Sequence, residues 1–411
     1  MTSPAADMVP VRWPLHPPPG QLESLSSWLD RIAVLYRLTT EQLIGPQNLA
    51  VAQPYAAYRL DVDPPPAVLA ALAQRTGVPV ERLQAMTLAG WVPCLSDELP
   101  PVRSNRVLQV FHNYVRDNPV LFPHGESRIY DPEGRHRRWA GPWQPPKPLN
   151  RTCPICLTEP GRGRDLMWRL PLQLGCGVHG CYLEDLYEAT FHFLLHDGRP
   201  MPPRLIPEPL ATLERYTHSA LTTGFVDLPG RAVPAAVWFR LLRSLLDEVS
   251  LAISTLHTRP QATLTKIWET TGLPPRAGLN VWTAYEVLDP EQQHAMMTAA
   301  ATALDLAARG DIVAEGRLGS AIQPPAPRHV YSGDMPAPPR RTAWDDLLAE
   351  AEKLLQLAKT DPDVARDVLQ MLTRKCRTLA RFEEQRSYLF GAGIPAAFLP
   401  GAAQLGRADL V

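Results

Sequence analysis

Between residues 153 and 179 the chain sets Cys153 and Cys156 with two residues between them, runs nineteen residues, and repeats the spacing with Cys176 and His179. Zinc takes four sulfur or nitrogen donors in a tetrahedron, and each short pair is a knuckle that supplies two of them. Four protein donors leave no open position for water, so this spacing predicts one structural Zn2+ held by Cys153, Cys156, Cys176 and His179. A redox Cys-x-x-Cys is the competing reading, but nothing in it calls for a matched Cys-x-x-His downstream. Cys181 either replaces a ligand or is buried as a small hydrophobe, and the second reading is favoured. Cys94 and Cys376 read as thiols without a role. Alternation over Leu166–Leu174 predicts a strand that carries the chain back to close the site, with Gly175 and Gly177 relieving crowding there.

The residues before this module read as helical. Leu22, Leu25, Trp28, Leu29, Ile32, Ala33 and Leu35 form one apolar stripe, with serines 24, 26 and 27 available to cap it. Thr39 and Gln42 fit a capping box. The pattern returns forty residues on, aligning Ile32 with Leu72, Leu38 with Val78, Glu41 with Glu81 and Leu43 with Leu83. In the second copy Gly77 suits a left-handed turn and Pro79 the first position of the next helix, which makes it the better helix-turn-helix candidate. The first copy has Arg37 where glycine is expected. If the second helix enters a DNA groove, Glu81, Arg82, Gln84 and Thr87 are the side chains that reach it. The alternative is a helical domain used for packing or protein contact.

Residues 101–152 are short elements broken by prolines. Here Arg128, Arg135, Arg137, Arg138, Lys147 and Arg151 stand among Tyr130, Trp139 and Trp143, and residues 131–134 suggest a turn. Basic residues outnumber acidic ones about two to one from 101 to 170, so this stretch, with Arg162 and Arg164 in its last part, is the candidate DNA-facing surface. An arginine-rich solvated loop is the bland alternative. Farther on, segments 233–256, 290–308, 343–359 and 361–385 carry helical periodicity, and 323–342 is a proline-rich connector expected to be extended or mobile. The partition is therefore a helix-turn-helix-like region over 1–100, a basic zinc-finger module over 101–200, a helical domain over 201–322, the connector, and a helical C-terminal region over 343–411. The fold class is mainly α and multidomain, with a small zinc-binding α+β module at its centre.

A hydrophobic fraction of 45% against 20% charged residues is that of a globular chain, and no run of ~20 apolar residues offers a membrane span. The N-terminus lacks a secretory pattern, and cysteines clustered for metal suit a reducing compartment, so a bacterial cytoplasmic, nucleoid-associated protein is expected. A phosphate loop, HExxH and GxSxG are all missing, and no catalytic residue is assigned.

PPPGQLESLSSWLDRIA near the start, TGVPVERLQAMTLAG next, and then CPICL with WRLPLQLGCGVHGCYLEDL resemble the TniQ proteins of Tn7-like transposons, related to the target selector TnsD. The likeness covers roughly residues 10–200. It implies an adaptor that selects an insertion site and recruits an AAA+ ATPase regulator of the transposase. Some such proteins bind DNA directly and others ride on an RNA-guided or other targeting complex. Carried over, the metal ligands are again Cys153, Cys156, Cys176 and His179. Many relatives have further cysteines after the first site, whereas here only Cys181 follows closely, which puts a second metal in doubt. A zinc-stabilised helix-turn-helix transcriptional regulator is the alternative, and a homodimer stays open.

Overall fold

The computed structural model describes residues 12–49, 59–99, 106–123, 139–256, 258–275, 283–325, 343–374 and 376–407. The chain forms two compact units, residues 1–326 and 327–411. Both are mainly helical.

The first unit opens on the repeat. Ser24 caps α1 (Leu25–Tyr36), its hydroxyl accepting from the Ser27 amide at 3.2 Å, and Leu25, Trp28, Leu29, Ile32 and Ala33 are buried. Leu35, expected in the same stripe, faces solvent instead. Thr39 and Gln42 close the expected capping box at α2 (Thr40–Leu43), which is followed by α3 (Pro46–Leu49). In the second copy, α4 (Pro66–Thr76) ends on Gly77 at φ 75 and leads into α5 (Val80–Ala85). Pro79 is the N-cap of α5 rather than its first helical residue, because its ψ of 145 is still extended. Arg37 takes φ 56 at the position equivalent to Gly77, so both copies end their first helix with the same left-handed residue. The copies share one core, in which Trp28, Ile32 and Leu43 meet Leu69, Leu72, Leu83 and Met86.

A larger core surrounds the helix Ala235–Val249. The segment α6 (Val107–Phe111) runs on through a π-helical turn, His112–Arg116. Two strands, β1 (Arg151–Thr152) and β2 (Glu184–Asp185), pair antiparallel at the two ends of the cysteine-rich module, ahead of α7 (Leu186–Leu195). Then come α8 (Leu210–Thr223), the hairpin β3 (Phe225–Asp227) and β4 (Ala232–Pro234), α9 (Ala235–Val249), α10 (Thr258–Thr271), α11 (Pro290–Ala308) and α12 (Gly319–Ile322). Trp238, Phe239, Leu241, Leu242, Leu245 and Leu246 of α9 are buried against α8, α11 and the α6 segment. The start of the expected helix 233–256 is thus the end of β4, and Pro234 is the N-cap of α9.

Two buried carboxylates fasten distant chain to α9. Glu248 accepts from the amides of Val120, Leu121 and Phe122 at 2.8–3.2 Å. Glu286 pairs with Arg243 of α9 at 2.7 Å, both side chains 1% exposed, and also accepts from the Trp143 amide. The chain on each side of residues 124–138 is therefore held to the same helix.

In the second unit, α13 (Ala343–Ala358) precedes α14 (Pro362–Thr373) and α15 (Leu379–Gly391). The single helix expected over 361–385 is two helices, the first ending at Thr373 and the second starting at Leu379, where Thr378 caps α15. From residue 326 onward the proline-rich connector lies outside the described residues.

Candidate metal centre

The cysteine-rich module brings all four expected ligands together. Their donor atoms lie within 4.8 Å of one another, and the three cysteines are buried. His179 Nδ1 is 3.4 Å from Cys153 Sγ, 3.3 Å from Cys156 Sγ and 3.6 Å from Cys176 Sγ, and Cys156 Sγ is 3.8 Å from Cys176 Sγ. A tetrahedron with metal–sulfur bonds of ~2.3 Å and a metal–nitrogen bond of ~2.0 Å puts sulfurs about 3.8 Å apart and sulfur and nitrogen about 3.5 Å apart. The observed spacings fit that shell.

Each knuckle is shaped by its own backbone. The Cys156 amide points at Cys153 Sγ at 3.4 Å, and Leu157 N–H donates to Cys153 O. In the second knuckle Gly180, at φ 62, lets its N–H reach Cys176 O at 2.9 Å. Sulfur crowding splits the thiols. Hydrogen bonds from Cys156, Cys176 and Cys181 hold the Cys153 sulfur far below the ordinary thiol range, while its contact with Cys153 pushes Cys156 up. A divalent cation held by the four donors would resolve that conflict by drawing their sulfurs to thiolate.

Residues beyond the four ligands complete the centre. Glu159 Oε1 sits 3.0 Å from His179 Nε2, so a carboxylate orients the ring and directs Nδ1 inward. Cys181 is fully buried with its sulfur 3.6 Å from Cys153 Sγ, and it stands outside the set of four mutually close donor atoms. Trp168 and Leu183 pack on the cysteines. The segment expected as a strand is a 3-10 turn over Leu166–Arg169 followed by irregular chain. Arg151 explains this, because its guanidinium donates to the carbonyls of Trp168 and Leu170 at 3.1 and 2.7 Å, satisfying them without a sheet. Gly175 and Gly177 do prevent crowding, but against Ile206 and His218 rather than the metal.

The module is bolted to the helical repeat. Ser24 N–H donates to Arg164 O, Leu166 N–H to Leu22 O, and Arg164 N–H to Ser27 Oγ, at 2.8–2.9 Å. Fully buried Asp61 accepts from Ser26 of α1 and from Arg169 of the module at 2.6–2.7 Å.

Residues 14–183 match the TniQ family model. The chain carries a TniQ domain. That stretch takes in both helical copies and all four ligands, and ends just before β2. No curated protein and no solved structure gives a significant match. A TniQ domain points to target selection in Tn7-like transposition.

The residues expected at DNA are dispersed. Arg128, Arg135, Arg137 and Arg138 lie outside the described residues, as do Tyr130 and the turn at 131–134. Lys147 is exposed. Arg151 is the brace just described, and burial pulls its guanidinium down to about 10. Arg162 is 3.6 Å from Glu159, and Arg164 pairs with Asp30 at 3.1 Å. Arg82 donates to the carbonyls of Gly20 and Gln21, and Thr87 is buried, which leaves Glu81 and Gln84 as the exposed members of the α5 set. Glu159, Asp61 and Arg169 were not singled out from sequence. Nothing in their spacing marks them, since each acts on a partner brought close only by the fold.

Proposed function

We propose that this chain is a target-site selection adaptor of a Tn7-like transposition system. It binds DNA or a targeting complex, RNA-guided or otherwise, and recruits an AAA+ ATPase regulator. The observation that carries this reading is the TniQ match over residues 14–183, in which the helical repeat and the metal module are one bonded body. One structural zinc ion fills the Cys153, Cys156, Cys176 and His179 shell and holds that body together, with no part in chemistry. The chain works in the cytoplasm at the nucleoid; among the described residues no helix is long and apolar enough to cross a membrane.

Arg128, Arg135, Arg137, Arg138 and Lys147 are the proposed phosphate contacts, supplied from chain whose flanks Glu248 and Glu286 hold to α9. The test is co-precipitation of the purified chain with an AAA+ ATPase regulator of a Tn7-like transposition system, with and without target DNA. Capture strengthened by DNA is expected. No capture under either condition overturns the adaptor reading.

A further inference from the structure

The second unit carries a basic elbow outside the stretch matched to TniQ. Helices α14 and α15 are joined by residues 374–378, and a cavity of about 470 Å³ opens there, lined by Leu372, Cys376, Arg377, Thr378, Arg381 and Gln385. The turn is held from beneath. The Arg407 guanidinium donates to Thr373 O at 3.1 Å and Cys376 O at 2.8 Å, Cys376 is buried, and Phe382 and Leu389 seat α15 on the core of the unit. Arg377 and Arg381 are exposed, and among the described residues no carboxylate pairs with either. The arginines nearby differ, since Arg366 and Arg386 are paired with Asp363 and Glu383.

We propose that this elbow is a nucleic-acid binding site, with Arg377 and Arg381 gripping the phosphodiester backbone and the outer face of α15 laid against the duplex. Arg381, Gln385 and Tyr388 follow one another at four- and three-residue spacing, so they share one face of the helix, beside the face that Phe382 and Leu389 bury. Guanidinium forks match phosphate oxygens, a glutamine amide can read a base edge, and the ring of Tyr388, 66% exposed, can pack on sugar. An acidic protein segment would answer the arginines but gives no use for the amide and the ring on the same face. Glu384 borders this face and opposes a polyanion, which supplies a test of sign.

The site stands or falls separately from the TniQ reading, and the experiment keeps the two apart. The full chain is titrated into a labelled duplex of about 30 base pairs between roughly 50 and 200 mM salt. Replacing both residues, Arg377→Ala with Arg381→Ala, should weaken binding about tenfold and reduce the salt slope by about 2, one for each phosphate no longer neutralised. Glu384→Gln should tighten binding, and Arg366→Ala should leave the slope alone. On the wild-type chain, duplex DNA should slow hydrogen exchange of the α15 amides, a readout that needs no variant to fold. An unchanged slope in a double variant that melts normally overturns the proposal. So does protection of α15 by polyglutamate but not by DNA, which would make the elbow a protein-docking site. Loss of binding in Arg135→Ala, Arg137→Ala, Arg138→Ala protein, with the elbow variant normal, also overturns it and leaves the TniQ reading intact.

Discussion

Arg37 and Gly77 close equivalent helices, yet only glycine adopts a left-handed backbone without steric cost. At φ 56, Arg37 carries a Cβ against the following carbonyl, a penalty of about 1 kcal/mol. Arg37→Gly should therefore raise the thermal stability of the first unit by an amount of that order, whereas Gly77→Ala should lower it, since its new Cβ would also meet the Arg12 side chain. Equal melting temperatures for Arg37→Gly and wild type would show that the strain is relieved elsewhere. Glu159 is the residue-scale test of the metal centre. Its carboxylate orients His179 without entering the donors' tetrahedron, so Glu159→Gln should cost about 10- to 100-fold in zinc affinity, read by competition with a chelator. The clustering of Cys153, Cys156, Cys176 and His179 was legible in the sequence because a donor set that could hold a metal writes itself as spacing between residues of a few types. Glu159 was not, because a single acid in a loop carries no periodic signal, and only the closed knuckles set it beside the ring.

At the scale of elements, the legible features were those that depend on neighbours in the chain. The Ser24 cap, the Thr39–Gln42 box and the buried stripe of α1 are local, and they came out as expected apart from exposed Leu35. The supposed strand at 166–174 failed because Arg151, distant in sequence, satisfies its carbonyls from the side. The long helix over 361–385 failed at Thr378, whose preference for a cap outweighed the apolar period running through it. The pinning of residues 120–122 and 143 to buried acids could not be read at all, since those acids lie more than a hundred residues away. It has a measurable consequence. Glu286→Ala would leave Arg243 charged in a site where both side chains are 1% exposed, and should destabilise the first unit by about 3–5 kcal/mol, seen in urea unfolding. A loss below about 1 kcal/mol would mean that water reaches Arg243 and that the clamp is not buried in solution.

For the first unit as a whole, proton linkage adds a dependence on pH that its near-neutral net charge does not suggest. Glu214 of α8 is fully buried beneath the metal module, where burial pushes its carboxyl up to about 8 against the Leu174 amide and the Arg151 charge, which pull it down. Its second oxygen has no partner among the described residues. An unfolded chain releases this proton near the ordinary value of 4.5, whereas the folded chain keeps it to about 8, so the folded state binds more protons across that window. Stability from this group is complete below the lower value and is lost as pH rises through the upper one. A metal ion bound by Cys153, Cys156, Cys176 and His179 would act in the opposite sense, because unfolding would return protons to their sulfurs, so the raw melting curve of loaded protein would mix the two effects. Glu214→Gln separates them: a neutral amide keeps the acceptor for Leu174 and has no proton to lose. Its melting temperature relative to wild type, measured on zinc-loaded protein, should climb steadily from pH 6 to pH 8. A difference that stays flat over that range would mean that Glu214 is ionised in the folded chain throughout, held by Arg151 more strongly than its burial opposes.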